Sequence, residues 1–254
     1  MQTHNPRLFI EMADVGPVLE SIEAEEPGIV SVNLDKLPAS VVSGTTLIDF
    51  SAAPDSTVRA SVSLSMLFAN RVATATSRSG DSSDEWLAAY TSNLGMLGFA
   101  VAGTAIVHSN FKKKGLRVHQ AIIPFLTVAF GGATVGPIIL AGLKNLQEQD
   151  ANAPWIRLFD RETRRFNVQE LHFAAVNSSE AETTIKYAVA RLNVESKDTT
   201  ILFFKLTNAS AEFESSTTTM SANNSLLAAI GPDLRARLGT MIRSFIREAP
   251  LTPS

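Results

Sequence analysis

Hydrophobic and polar positions follow three patterns along the chain. After an acidic stretch carrying Glu20, Glu23, Glu25 and Glu26, the segments "GIVSVNL" and "TTLIDF" read as two short strands, punctuated by Pro27, Pro38, Gly44 and Pro54. From Asp55 the period lengthens. Val58, Val62, Met66 and Ala69 recur at spacings of three and four, which predicts a helix capped by Asp55 and running to about Ala75. The polar stretch "SRSGDSSDE" is the loop that follows, with Ser83 or Asp84 as the next cap. Trp86, Tyr90, Leu94 and Leu97 then mark a second helical stripe, ending near Gly98.

The middle of the chain is continuously apolar. No Asp, Glu, Lys or Arg occurs from Trp86 to Phe111 or from Val118 to Leu143, and between these runs stands the basic stretch "NFKKKGLRVHQ". Two uncharged runs joined by a basic turn have the outline of a membrane hairpin. Their detail argues against a permanent one. The solid apolar core of the first run extends only from Leu94 to Val107, short of the about 20 residues that a spanning helix needs. Its part from 98 to 109 fits a helix or a buried strand, because periodicity does not decide a continuous run. Pro124, Gly131, Gly132, Gly136 and Pro137 interrupt the second run, predicting one helix before Gly131 and another from Pro137 to Gln149. With two Trp and two Tyr, there is little to form interfacial belts. A soluble resting state is expected.

Beyond Pro154 the pattern shortens again. "WIRLF" and "FNVQELHFAAV" read as strands around the polar turn "DRETRR", and "ETTIKYAVARLNVE" and "TTILFFKLTNASAEFE" continue an antiparallel meander. A Ser/Thr/Asn-rich passage from Ser215 to Asn224 leads to a last helix. Its apolar stripe is Leu234, Leu238, Ile242 and Phe245, with Arg235, Arg237, Arg243 and Arg247 off the stripe. The predicted fold class is α+β: an apolar helical region over about 55–150, packed with an antiparallel meander over about 155–214 and a C-terminal helix. We expect a single domain spanning 1–254, with a mixed and helical part (1–150) and a β-rich part (154–254).

Composition narrows the chemistry. The net charge of −3 carries no global positive field for nucleic acid, and aromatic residues are not interleaved with the basic ones. The chain has no cysteine, which excludes disulfides, thiol nucleophiles, cysteine-ligated metals and S-palmitoylation. "MQTHNPRLFIEMADVG" lacks the apolar core of a signal peptide, so cytoplasmic synthesis is expected, with any release by a signal-independent route.

His4, His108, His119 and His172 lack the spacing of a zinc motif, although His108 and His119 bracket the basic turn. No Gly-x-Ser-x-Gly elbow and no phosphate-binding loop occurs. "DRETRR" holds two acids and three arginines, but at a hairpin tip such charges are solvated. The expected protein is therefore non-enzymatic, with no cofactor and no metal site.

The basic clusters give the functional expectation. Lys112, Lys113, Lys114 and Arg117 in the turn, and Arg235 and Arg243 in the last helix, are the candidate contacts to anionic lipid, each worth about 1 kcal/mol near a charged surface. The leading expectation is a membrane-active or toxin/virulence-type protein whose segment 86–143 engages lipid. The alternative is a binding or scaffold protein, open to self-association, whose apolar middle is only its core. A third is a carrier of a small apolar ligand such as a fatty acid, held between helices and sheet.

Overall fold

The computed structural model describes residues 5–17, 32–77, 82–111, 115–131, 136–163, 169–192, 201–203 and 211–250. The fold is α+β. A seven-stranded sheet in the order β3-β6-β5-β4-β2-β1-β7 runs through the molecule, with helices on both faces. Its strands are β1 (Ser40–Ser43), β2 (Thr46–Ala52), β3 (Ala100–Phe111), β4 (Gln169–Ser178), β5 (Glu182–Leu192), β6 (Ala211–Asn223) and β7 (Ile246–Glu248). All neighbours pair antiparallel except β2 and β4, which are parallel with Ile48 opposite Ala174.

Alternation along each strand divides the apolar residues between two cores. Val41, Ile48, Phe50, Val176, Ile185, Tyr187 and Met220 face the first. It is covered by α1 (Pro6–Met12), α2 (Ser56–Thr76), α3 (Ser83–Met96), α7 (Asn224–Leu238) and α8 (Met241–Phe245). Val42, Leu47, Leu171, Phe173, Ala188 and Ala190 face the second, covered by α4 (Val118–Ala129), α5 (Pro137–Asn145) and α6 (Pro154–Thr163).

The central helix is α2. Asp55 caps it by accepting from the Val58 N–H at 2.8 Å, and every residue from Ala60 to Ala73 is buried. Such all-round burial requires close neighbours on every side. One is α7, which comes near because it carries Gly231 at the contact: a Cβ there would stand 2.8 Å from Ser61 Oγ.

Several sequence expectations change. Ser82, not Ser83 or Asp84, caps α3, in a reciprocal capping box with Glu85. The undecided stretch 98–109 lies mostly in β3. The predicted strand "GIVSVNL" falls partly outside the described residues, and its last residue, Leu34, opens the 3-10 turn Leu34–Lys36. β1 had no counterpart in the prediction.

"WIRLF" is no strand. It opens α6, where Trp155, Ile156, Phe159 and Thr163 are buried at helical spacing behind Pro154. "DRETRR" is consequently not a hairpin tip, since Asp160 to Thr163 form the last turn of α6 and Arg164 and Arg165 lie outside the described residues. In "TTILFFKLTNASAEFE", Ile201–Phe203 is a 3-10 turn and strand begins only at Ala211. The passage Ser215 to Asn224, expected as a linker, is mostly β6. Its Thr side chains are β-branched, and it has strands to pair with on both sides. The last helix is broken at Gly239 into α7 and α8, and Arg247 is buried on β7 rather than displayed on a helix.

Candidate functional site

The α4–α5 hairpin forms part of the cover of the second face. Val118, Ile122, Leu126, Phe130, Ile139 and Leu143 point into the core. The opposite side exposes Pro124, Val128 (77% exposed), Gly131, Pro137 and Ala141, and its one charge among the described residues is Lys144, in the last turn of α5. Two charged residues of the sheet hold the hairpin from beneath. Buried Asp49 on β2 accepts from the Ile138 N–H at 3.0 Å, placing a carboxylate at the start of α5. Lys186 on β5 donates to the Phe130 carbonyl at 3.3 Å, placing an ammonium at the end of α4. Each complements the dipole at a helix end that has no charged residue of its own. Between the helices the chain turns through Gly136 at φ 91°, where a Cβ would meet the Phe130 ring at 2.5 Å.

The three candidate basic residues that the structure describes do not form one surface. Lys112, Lys113 and Lys114 lie outside the described residues. Arg117 precedes α4, half-buried, its guanidinium 5.8 Å from the centre of the Phe203 ring. Arg235 is on the other face of the sheet, on α7, ion-paired with Asp35 at 2.7 Å. Arg243 is exposed on α8. Nearby, Arg237 donates to the Ala13 carbonyl at 2.8 Å and Arg7 pairs with Asp233 at 3.3 Å, so much of the basic charge around α7 ties it to the N-terminal segment.

Reading the sequence by local motifs missed a buried polar relay on the first face. Glu170 and His172 are two apart on β4 and each is 2% exposed. Arg191 stands opposite Glu170 in the β4–β5 register. Arg191 Nε donates to Glu170 Oε1 at 2.6 Å, and its guanidinium also pairs with Asp84 in the first turn of α3. His172 Nε2 lies 3.0 Å from Glu170 Oε2, which leaves Nδ1 to accept the Tyr187 hydroxyl at 2.5 Å. Trp86 and Tyr90, stacked 5.2 Å apart, close over the relay, with the Trp86 ring edge-on to His172 at 5.6 Å.

Against the opposing effect of burial, hydrogen bonds from His172, Ser83 and Arg191 hold the Glu170 carboxyl down to about 2. Burial pushes the Tyr187 and Tyr90 hydroxyls well above their ordinary range. The order Tyr–His–Glu has the donors and acceptors of an acid–base relay. Neither cleft described below is lined by its members, and its geometry ties α3 to the β4–β5 hairpin.

On the second face His119 is fully buried, Nδ1 donating to the Leu202 carbonyl at 2.7 Å while Nε2 has no hydrogen-bond partner among the described residues. Burial holds its imidazole below the ordinary histidine value, and the Arg117 charge pushes the same way. No group of three or more His, Asp or Glu side chains able to hold a metal ion occurs among the described residues. Two open clefts lie along α2 and α7. One, of about 270 Å³, is lined by Asp35, Ser56, Ser61, Gly231 and Arg235; the other, of about 750 Å³, lies where both helices begin and includes Asp55, Ser179, Glu180 and Asn224. Among the described residues no helix is long and apolar enough to cross a membrane.

Neither a protein-family model nor a curated protein matches this chain.

Proposed function

We propose that this is a non-enzymatic protein that engages an anionic lipid surface peripherally through the outer side of the α4–α5 hairpin. The observation that carries the reading is that largely apolar side, with Val128 77% exposed, preceded by Arg117 and carrying Lys144 in the last turn of α5. Lys112, Lys113 and Lys114, which precede it in sequence, add the charge that draws anionic headgroups. Peripheral contact suits the packing better than insertion of the whole segment 86–143. That segment contributes Trp86, Tyr90 and Leu94 to one core and Ile122, Leu126 and Leu143 to the other. Withdrawing it would dismantle both layers. Contact through exposed side chains leaves both intact.

Sedimentation with vesicles of phosphatidylserine and phosphatidylcholine tests this. Binding should weaken as salt rises, and both Val128→Asp and the triple change of Lys112, Lys113 and Lys114 to Gln should lower it at least tenfold. Absence of binding at low salt removes the reading. Release of vesicle contents would restore the inserting, toxin-type version in place of the peripheral one.

A second reading is a binding protein whose apolar middle is only its core. The division of residues 86–143 between two buried cores favours it, and it predicts no vesicle binding at any salt concentration.

A further inference from the structure

β3 is the outermost strand at one end of the sheet, with β6 on its inner side and no strand beyond it among the described residues. In an antiparallel ladder alternate residues turn N–H and C=O to opposite sides, so half of this 12-residue strand presents both groups outward. Edge strands are ordinarily blunted by shortness, charge or proline. The opposite edge of the same sheet obeys: β7 has three residues and carries Arg247 and Glu248. From Ala100 to Phe111 β3 has no charge and no proline. Its register shifts once, between Ala102 and Thr104, and the ladder from Thr104 to Phe111 is continuous. The first three residues of the strand are exposed, Val101 by 44%.

We propose that β3 pairs with β3 of a second copy of this chain, antiparallel about a two-fold axis, joining the two sheets into one. The charge pattern selects both the occupant and the direction. A two-fold pair sets a strand against itself, which an uncharged strand tolerates in any register. Three lysines, Lys112 to Lys114, follow the strand directly in sequence. Parallel pairing would bring both lysine runs to the same end of the ribbon. Antiparallel pairing sends them to opposite ends, roughly 40 Å apart at about 3.3 Å per residue. Val101, Thr104, Ile106 and Val107 are β-branched and suit a pleated edge. This interface does not depend on the lipid reading, and it leaves the outer side of α4–α5 uncovered.

The absence of cysteine makes the test direct. Single spin labels are placed through Val101→Cys, Val107→Cys and Asn110→Cys in the full chain, and label-to-label distances are measured beside sedimentation over a wide concentration range. A dimer is expected, with distances that pass through a minimum along the strand and lengthen by about 6.6 Å per residue away from it. Equal distances at all three positions would mean parallel pairing and overturn the proposal. A dimer with all three pairs far apart, or a monomer at every concentration, overturns it too. Hydrogen exchange on the unaltered chain guards against a label that disturbs the fold. Protection of β3 amides must rise with concentration, and a concentration-independent rate is also fatal to the idea.

Discussion

On the first face of the sheet one 21-residue helix, α2, is enclosed on all sides, and a buried ionic relay ties α3 to β4 and β5. On the second face three helices of 12, 9 and 10 residues do the covering, separated by glycine and proline, with most of their apolar residues turned inward. Both layers bury large side chains, but they differ in what else holds them. The first is cross-linked by side-chain contacts between distant segments, such as buried Arg71, whose Nε donates to the Val15 carbonyl and whose guanidinium lies 4.7 Å from the Phe245 ring centre. The α4–α5 hairpin is fastened to the sheet by Asp49 and Lys186 near its connecting turn. A layer of short helices, with fewer such ties among the described residues, opens at lower free energy than one built around a long enclosed helix. The layer proposed to meet lipid is thus the one that opens first.

Core truncations probe this difference most strongly. Phe68→Ala in the first core and Phe130→Ala in the second each remove a fully buried ring, at a cost of about 3–5 kcal/mol. Hydrogen exchange should separate them. Phe68→Ala should speed exchange throughout, and Phe130→Ala should speed it mainly from 118 to 145 while α2 amides keep their protection. Equal acceleration everywhere in both variants would mean that the layers unfold as one unit.

Acid should separate the layers next. Below the ordinary histidine value of 6.5 the unfolded chain protonates His119 before the folded one does, so its contribution is lost from about pH 6.5 downward. Glu170 is depressed from 4.5 to about 2, so its contribution is complete above 4.5 and is lost as pH falls towards 2. That contribution is on the order of 3 kcal/mol. Each core has one tryptophan, Trp86 in the first and Trp155 in the second. Fluorescence of Trp86→Phe and Trp155→Phe variants therefore follows one layer at a time, with the second layer loosening at the milder pH. A common midpoint for both would contradict this, as would an unchanged mild-acid transition in His119→Phe.

Smaller effects refine the picture. Asp49→Ala deprives the Ile138 N–H of its acceptor and should cost about 1–2 kcal/mol, reported by Trp155 fluorescence before that of Trp86. Asp35→Asn removes an exposed ion pair with Arg235 and should change the urea midpoint by no more than about 1 kcal/mol equivalent.

Much of the first layer is legible in sequence because its signals are local. Asp55 announces the start of α2, and on the second face Gly136-Pro137 likewise announces the start of α5. The misread elements are those whose identity depends on distant partners. The aromatic and branched residues of "WIRLF" suit a strand by propensity, and only burial on two sides of the second core makes α6 of them. Polar "SSTTTMS" looks like a linker until β3 and β5 supply its hydrogen bonds.

The relay had a faint signature: a Glu-x-His pair on one strand face, with Arg191 at the mirrored position of the following strand. Recognising it needs the hairpin register, which turn spacing fixes but residue spacing within one strand does not. Asp49 and Lys186 give no sequence signal, since each acts on a helix far away in the chain.

The parallel contact between β2 and β4 joins strands that residues 53 to 168 separate, and the other neighbour of the β1–β2 hairpin is β7 at residues 246–248. During synthesis at roughly 5–20 residues per second, that hairpin waits on the order of ten seconds for β4 to be made. Through that interval Val41, Val42, Leu47 and Ile48, all inaccessible in the finished molecule, lack the β4 and β7 neighbours of their strands. The nascent chain thus carries an apolar hairpin with both edges open, the form of intermediate that chaperones bind and that aggregates when released early. Chains that stop before residue 178 should therefore be recovered bound to chaperones or insoluble.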